Sequence, residues 1–394
     1  MTEDERISLG PEEAVALWSK GRHVWNAWVE NNPDADINFH SVDFNLLRNL
    51  ETINKDDWPF ANFNFPTGKK NFGGTTFGDG DVSFFGATFG DGDVSFFDAK
   101  FGDGNVSFDR AKFGDGGVSF SDATFGDGDV SFYRAKFGLG ALTLDAASLG
   151  NGCYSFSDAT FLGRASFANL VNVKAVTSLR FRHASFEGAF TLGSKEMFSC
   201  VPDLVGTKTS HHISLAELEC ASNTATHKKI FKRSVDEGDA ERFRRLKELA
   251  EQNRDFEKAL DFRVEEMRAA RWHGDYRWPT ALVEGLFWLG CDYGRDLARP
   301  LLWLFVMFGL CANVYVAASI SALSSTVVTK AILFSWGQMF VYIPSSSNAR
   351  DEGLQILFDG HLPDWLYFIT FSQSLLTLVL LFQVGLVLRN RFKL

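Results

Sequence analysis

From Phe77 to Thr160 the chain repeats itself every twelve residues. The copies read FGDGDVSFFGAT, FGDGDVSFFDAK, FGDGNVSFDRAK, FGDGGVSFSDAT and FGDGDVSFYRAK, then two worn copies, FGLGALTLDAAS and LGNGCYSFSDAT. A fixed short period is the signature of stacked units, each too small to bury a core alone. Phe holds the first and eighth positions, and a small or β-branched residue stands two places before each, as Val82 before Phe84 and Ala87 before Phe89. Residues i and i+2 of a strand share a face. Each short strand therefore sends one small and one large residue inward and shows Ser83, Thr88 or Lys100 outward. The strands are joined alternately by two residues, such as Phe85-Gly86, and by four, such as Gly90 to Asp93. Two copies would make a four-sided coil of 24 residues, enough to enclose a core. Coils stacked at about 4.8 Å would set Phe84, Phe89, Phe96, Phe101, Phe108, Phe113, Phe120, Phe125 and Phe132 in ring-on-ring columns. The corner glycines are expected to supply positive φ for sharp bends.

The 40 Phe in 394 residues reflect this one device. A net charge of −10 argues against a nucleic-acid partner, because phosphate affinity comes from clustered Lys and Arg. Cys153, Cys200, Cys220, Cys291 and Cys311 follow no regular spacing, which fits a reduced compartment better than a disulfide framework. The acidic start, Met-Thr-Glu-Asp-Glu-Arg, does not read as a secretory signal.

The recurrence of a small residue, any residue and a large apolar residue resembles the pentapeptide-repeat proteins. Ile37-Asn38-Phe39 followed by Val42-Asp43-Phe44, and later Ala165-Ser166-Phe167, Leu179-Arg180-Phe181 and Ala184-Ser185-Phe186, carry the same resemblance. It implies a mainly β fold, a right-handed quadrilateral β-helix, here over residues 36–192 with about 24 residues per coil in 77–160. Alternate units are seven residues long rather than five, which implies two-residue bulges at opposite corners. Some members of the family mimic DNA with an acidic rod, and a membrane tether makes that use awkward for this chain.

Residues 1–35 are expected to form an N-terminal capping helix, started by Pro11, Glu12 and Glu13 and stopped at Asn31-Asn32-Pro33. Residues 193–235 read as a linker or distal cap. Over 236–272, Phe243, Leu246, Ala250, Phe256, Leu260, Val264 and Met267 recur at helical spacing with a weak step at Asn253. This stretch resembles the connector of membrane-bound family members and reads as a polar stalk within a helical segment, 236–299, that includes an interfacial helix at 279–291.

Residues 300–394 read as a transmembrane hairpin. Pro300–Ala322 and Trp365–Leu388 are uncharged runs of 23 and 24 residues, each long enough for a hydrocarbon core of about 30 Å. Trp272, Trp278, Trp288 and Tyr293 precede the first run, where aromatic belts form. Arg295 and Arg299 precede the first run and Arg389, Arg391 and Lys393 follow the second, while the loop between carries Lys330 and Arg350 against Asp351, Glu352 and Asp359. By the positive-inside rule both termini and the repeat domain face the cytoplasm, in a plasma or inner membrane.

Three features invite sharper readings. Residues 329–344 are apolar but short for a span, so they could be re-entrant or interfacial, and Thr370, Gln373, Ser374 and Thr377 form a polar face on the second span. Such a face lines a pore or, more commonly, binds another helix. A pore would require a homo-oligomer. Asp79, Asp103 and Asp127 would stack on one corner of successive coils, either as a cation ladder or as a solvated turn. Cys200, His211, His212, Cys220 and His227 match no zinc spacing, and Lys228, Lys229, Lys232 and Arg233 form a small basic cluster. No nucleophile elbow, phosphate loop or catalytic carboxylate pair is present. The expectation is a non-enzymatic, cofactor-free scaffold held in the lipid bilayer and presenting its repeat domain to a protein partner. The alternative is an oligomeric ion channel or transport-related protein, with 329–344 as a pore-like segment and the repeat domain as sensor or assembly domain.

Overall fold

The computed structural model describes residues 6–47, 60–227, 231–271 and 278–392. Trp272, Lys228, Lys229 and Lys393 lie outside the described residues. The chain divides into two compact units, Met1–Arg271 and Trp272–Leu394.

The first unit is built of parallel β ladders. A nine-stranded sheet runs through Ser8–Leu9, Asp36–Asn38, Lys70–Asn71, Val94–Ser95, Val118–Ser119, Leu142–Thr143, Ala165–Leu170, Phe190–Ser194 and Ile213–Ser214. A five-stranded sheet joins Val82–Ser83, Val106–Ser107, Val130–Ser131, Cys153–Ser155 and Ser178–Arg180. The other two ladders are partly single bridges. One carries Asn64, Thr88, Lys112 and Lys136 into Thr160, Ser185 and Lys208, and the other carries Thr76, Lys100, Thr124, Ser148 and Val171. The chain visits the four ladders in fixed rotation. Within the array Val82 pairs with Val106 and Val106 with Val130, a step of 24 residues that recurs in the side-chain bonds between coils. The step becomes uneven beyond the array, where Leu142 pairs with Ala165 and Ala165 with Phe190.

Inward residues alternate as the pattern requires, and Val82, Phe84, Ala87 and Phe89 are all buried. The Phe rings form parallel columns. Phe60, Phe84, Phe108, Phe132 and Phe156 follow one another at 4.6–4.7 Å between centroids, and Phe65, Phe89, Phe113, Phe137 and Phe161 at 4.5–4.9 Å. Neighbouring columns meet edge to face, as Phe84 and Phe96 do at 5.5 Å and 83°, the geometry that aromatic quadrupoles favour. Where the repeat wears, sizes exchange. Leu149 follows Phe125 in its column, and Tyr154 takes the inward place that Val130 holds one coil earlier. Tyr154 then meets the edge of Phe125 at 6.1 Å, and its hydroxyl accepts the Gly150 N–H at 2.7 Å.

The corner glycines divide on the expectation about φ: Gly74, Gly78, Gly86 and Gly90 take positive φ as expected, and those of the later four-residue corners do not. Gly102, Gly104, Gly114, Gly116, Gly126 and Gly128 do not lie at positive φ. A Cβ on Gly104 would stand 2.2 Å from the carbonyl carbon of Gly80, one coil away. These positions are glycine because backbones pass close at the corner, not because the bend needs left-handed geometry. Beyond Gly78 and Gly90, which open the first two four-residue corners of the array, the left-handed conformation falls on the second residue of each two-residue corner, at Asn62, Gly74, Gly86, Asp98, Arg110, Asp122, Arg134, Ala146 and Asp158.

At the N-terminal end, α1 (Pro11–Trp18) and α2 (Arg22–Asn31) replace the single expected helix, and Ser8–Leu9 adds a strand ahead of them. A short α3 (Phe44–Leu47) follows. Trp18 and Trp25 seal the first rings, Trp25 lying 5.9 Å from Phe39 and donating its indole N–H to Asn64 O at 2.7 Å. At the distal end pairing runs past residue 192 to Ile213–Ser214 and to a bridge between Phe198 and Cys220. An antiparallel hairpin, Thr224–His227 with Phe231–Ser234, follows.

The stalk expected over 236–272 is not one rod. It is α4 (Asp239–Gln252) and α5 (Phe256–Ala270), folded against each other. Arg254 takes φ +60°, and Asp255 caps α5 by accepting the Lys258 N–H at 3.1 Å, the arrangement that starts a new helix. Glu266 receives Arg244 and Lys247 across the pair at 2.8 and 2.7 Å. Phe243, Leu246 and Leu249 join the β core, and Arg245 donates to Thr207 O at 2.7 Å. The pair closes the distal end of the first unit.

The second unit holds α6 (Trp278–Cys291), α7 (Ala298–Ala317), α8 (Ser325–Met339), α9 (Ser347–Phe358) and α10 (Asp364–Phe392). The helices α7 and α10 are long and apolar enough to cross a membrane. Much of the 329–344 stretch, expected to be re-entrant, lies in α8, which packs against α7, α9 and α10. Gly353 permits the close approach of α9 to α8, since a Cβ there would meet Phe334 at 2.7 Å.

Candidate functional site

Three places carry polar chemistry, and they differ in what is left to bind with. The first is the corner ladder. Asp103 accepts the Asp127 N–H at 3.1 Å and Asp127 accepts the Asn151 N–H at 3.0 Å. Asp79 Oδ1 lies 2.5 Å from where a Cβ on Gly102 would stand. The neighbouring series repeats the bond, with Asn105 donating to Asp81 at 2.8 Å and Gly117 to Asp93 at 2.8 Å. Asp81, Asp93, Asp103 and Asp127 thus each tie their coil to an amide one coil on. Among the described residues no group of three or more His, Cys, Asp or Glu is gathered to hold a metal. Cys200 and Cys220 are half-buried in the distal core, where burial pushes both thiols up, Cys200 to about 11.

The second place is the polar face of α10. Gln373 is buried and fully engaged. Its Oε1 accepts the Tyr315 hydroxyl of α7 at 2.7 Å, and its Nε2 donates to Ser335 O and Oγ of α8 at 3.0 and 2.9 Å. Ser374 donates to Gln338 O of α8 at 2.8 Å, and Ser335 to Phe308 O of α7 at 3.1 Å. Thr370 and Thr377 bond to carbonyls of their own helix. Gln373 and Ser374 therefore join α10 to α7 and α8 within one chain, while Thr370 and Thr377 are satisfied within α10. In an apolar surrounding an unpaired amide is costly, and this network leaves none at Gln373.

The third place was not foreseen. A cleft of about 430 Å³ lies at the distal end of the first unit, between the 175–180 stretch, the 199–203 turn and the start of α4. Its charged centre is Arg242. The Arg242 Nη1 atom reaches Asp236 at 2.6 Å and Asp239 at 2.8 Å. Burial pulls against that charge, and the Asp236, Asp239 and Asp203 carboxylates outweigh it and hold the guanidinium above its ordinary value. The carboxylates are in turn satisfied: Asp239 also accepts from Ser234 at 2.8 Å, Asp236 from the Gly238 amide at 2.8 Å, and Asp203 from Val205 N at 3.0 Å and Arg182 at 3.1 Å. Among the described residues two buried atoms on the wall, Arg242 Nε and Ser178 Oγ, have no hydrogen-bond partner. No period or motif marks these residues, because Ser178, Asp203 and Arg242 come from three different elements.

No family model, curated protein or solved structure matches this chain.

Proposed function

We propose that the chain is a membrane-anchored pentapeptide-repeat scaffold, a non-enzymatic protein that presents its β unit to a protein partner. The observation that carries this reading is the 24-residue register that the four ladders keep through the array. It favours closure into a right-handed quadrilateral β-helix, whose sides carry rows of outward Ser, Thr and Lys such as Ser83, Ser107 and Ser131 or Lys112 and Lys136. Regular rows of this kind suit recognition of another protein, as the concave faces of other solenoids do. The anchor rests on α7 and α10, whose surfaces include Phe305, 74 % exposed, and Phe368, 75 % exposed. Such apolar exposure is unfavourable in water and natural in lipid. With Arg295 and Arg299 before α7 and Arg389 and Arg391 after α10, the positive-inside rule directs both termini and the β unit to the cytoplasm. The engagement of Gln373, Ser374, Thr370 and Thr377 inside one chain favours an anchor over an oligomeric pore.

The test pairs topology with conductance. Purified full-length protein is reconstituted in liposomes, its oligomeric mass is measured, and ion flux is recorded. A scaffold gives no flux, and a photo-cross-linker on one ladder face, at Ser119 for example, captures a partner that one on another face does not. Selective ion flux from an oligomer would replace this reading with the channel.

A further inference from the structure

We infer that the outward face of α7 pairs two copies of this chain, with Asn313 at the contact, an inference that rests on the membrane-anchor reading above. Gln373, Ser374, Thr370 and Thr377 of α10 are all satisfied inside the unit. Asn313 of α7 is placed differently. It is exposed, and Leu302, Val306 and Gly309 share its side of the helix at successive steps of four, three and four residues. Leu304, Ala312 and Tyr315 are the buried residues of the same helix turns. The Asn313 Nδ2 donates to Gly309 O at 2.7 Å, and among the described residues no donor meets its Oδ1. Tyr315, two residues on, donates its hydroxyl to Gln373. Gln373 stands eight residues inside Trp365 and fifteen inside Leu388, the ends of the uncharged run of α10. At 1.5 Å per residue the nearer end is about 12 Å away, farther than a side chain as short as asparagine reaches toward water. An open carboxamide oxygen facing hydrocarbon is unfavourable, and helices in lipid relieve it by bonding to another helix. A carboxamide is its own complement, since it both donates and accepts. A two-fold pair brings the same patch of each copy together, so Asn313 meets its own counterpart and needs no foreign partner. Gly309 supplies the room. A Cβ there would meet nothing within 4 Å, which leaves a notch one turn from Asn313 where a second helix can approach closely. Leu302 and Val306 extend the contact with apolar surface.

The experiment places full-length protein, labelled at its N-terminus with donor or acceptor dye, in liposomes. Flotation of the liposomes first reports whether the protein is membrane-bound, and energy transfer is then followed as added lipid dilutes it. We expect transfer that falls on dilution along the curve of a dimer, with association weakened about tenfold in Asn313→Leu and in Gly309→Leu, the scale of one interhelical bond or its close contact. Asn313→Gln, which keeps the carboxamide, should match the parent. So should Gly385→Leu, at an exposed glycine of α10 where a Cβ also meets nothing within 4 Å. Protein that floats but stays monomeric, or pairing that either leucine variant at 309 or 313 leaves unchanged, overturns the proposal and leaves the anchor standing. Protein that does not float overturns the anchor, and the pairing with it.

Discussion

Two kinds of residue sit where their chemistry is uncomfortable, and both yield measurable consequences. Ala146 holds φ +59° at a two-residue corner, a conformation that costs an L residue with a Cβ about 1–2 kcal/mol. Gly74 occupies the same corner in an earlier coil, and Gly86 the equivalent place in the alternate two-residue corner. Ala146→Gly should therefore raise stability by a few tenths to about 1 kcal/mol, after the extra entropy of glycine is deducted, as read by chemical denaturation. Lys70 takes the inward strand place that Val94 takes one coil later. It is 1 % exposed, and its amino group donates to Gly92 O at 2.9 Å and Pro66 O at 3.3 Å. Burial pulls it down to about 8, against the opposing pull of Asp93, Asp91 and Asp36. The unfolded chain then binds more protons than the folded one between pH 8 and 10.5, so this group's contribution to stability rises with pH across that window and is least favourable below it. Lys70→Met should stabilise the protein at neutral pH, with a gain that shrinks as pH climbs through the window. A gain independent of pH would contradict the assignment. Lys70 was invisible as an exception in the sequence because it lies ahead of the regular copies, where no register exists to expose it.

At the scale of elements, the corner is governed by contact between coils. Gly104→Ala drives a Cβ into Gly80 at 2.2 Å, whereas Gly117→Ala, in the same four-residue corner of the next copy, meets nothing nearer than Asp93 at 3.5 Å. The first should destabilise by about 1–3 kcal/mol and the second should be near neutral, a contrast that thermal melts of the two variants would display. The strands and their inward residues were legible in the sequence, because a two-residue alternation repeated every twelve leaves one consistent register for Phe84 to Phe132. The role of the corner glycines was legible only in part, at Gly78 and Gly90 for example, since glycine is equally demanded by a left-handed bend and by a near backbone, and only geometry tells the two apart. The break at Asn253-Arg254-Asp255 was masked by helical spacing continuing on both sides, although Asp255 is a good cap. The polar face of α10 was legible as a face; that Gln373 meets both Tyr315 and Ser335 depends on the packing of α8, which its length alone did not reveal.

For the whole molecule, the distal helices change what counts as a folding unit. Because α4 and α5 complete the core that the ladders begin, a chain cut at residue 220 would expose Leu204 and Leu215, while one ending at Arg271 keeps the first unit whole. Residues 1–271 expressed alone should be soluble and melt in one cooperative step, and residues 1–220 should aggregate. Equal behaviour of the two fragments would mean that the helix pair contributes little. The distal cleft belongs to this scale as well: it exists only where loop, turn and helix from separate stretches meet, and so no local pattern announced it.

The sequence repeats at twelve residues while the coils step by 24. Gene slippage that gains or loses two copies would lengthen or shorten the stack by one level of about 4.8 Å and leave every later residue on its own side. Removal of a single copy would instead move every later strand to the alternate ladder, carrying Lys112 and Lys136 into the series that holds Lys100 and Thr124. An even change in copy number thus keeps each later residue in its own ladder, and an odd change exchanges the ladders in pairs.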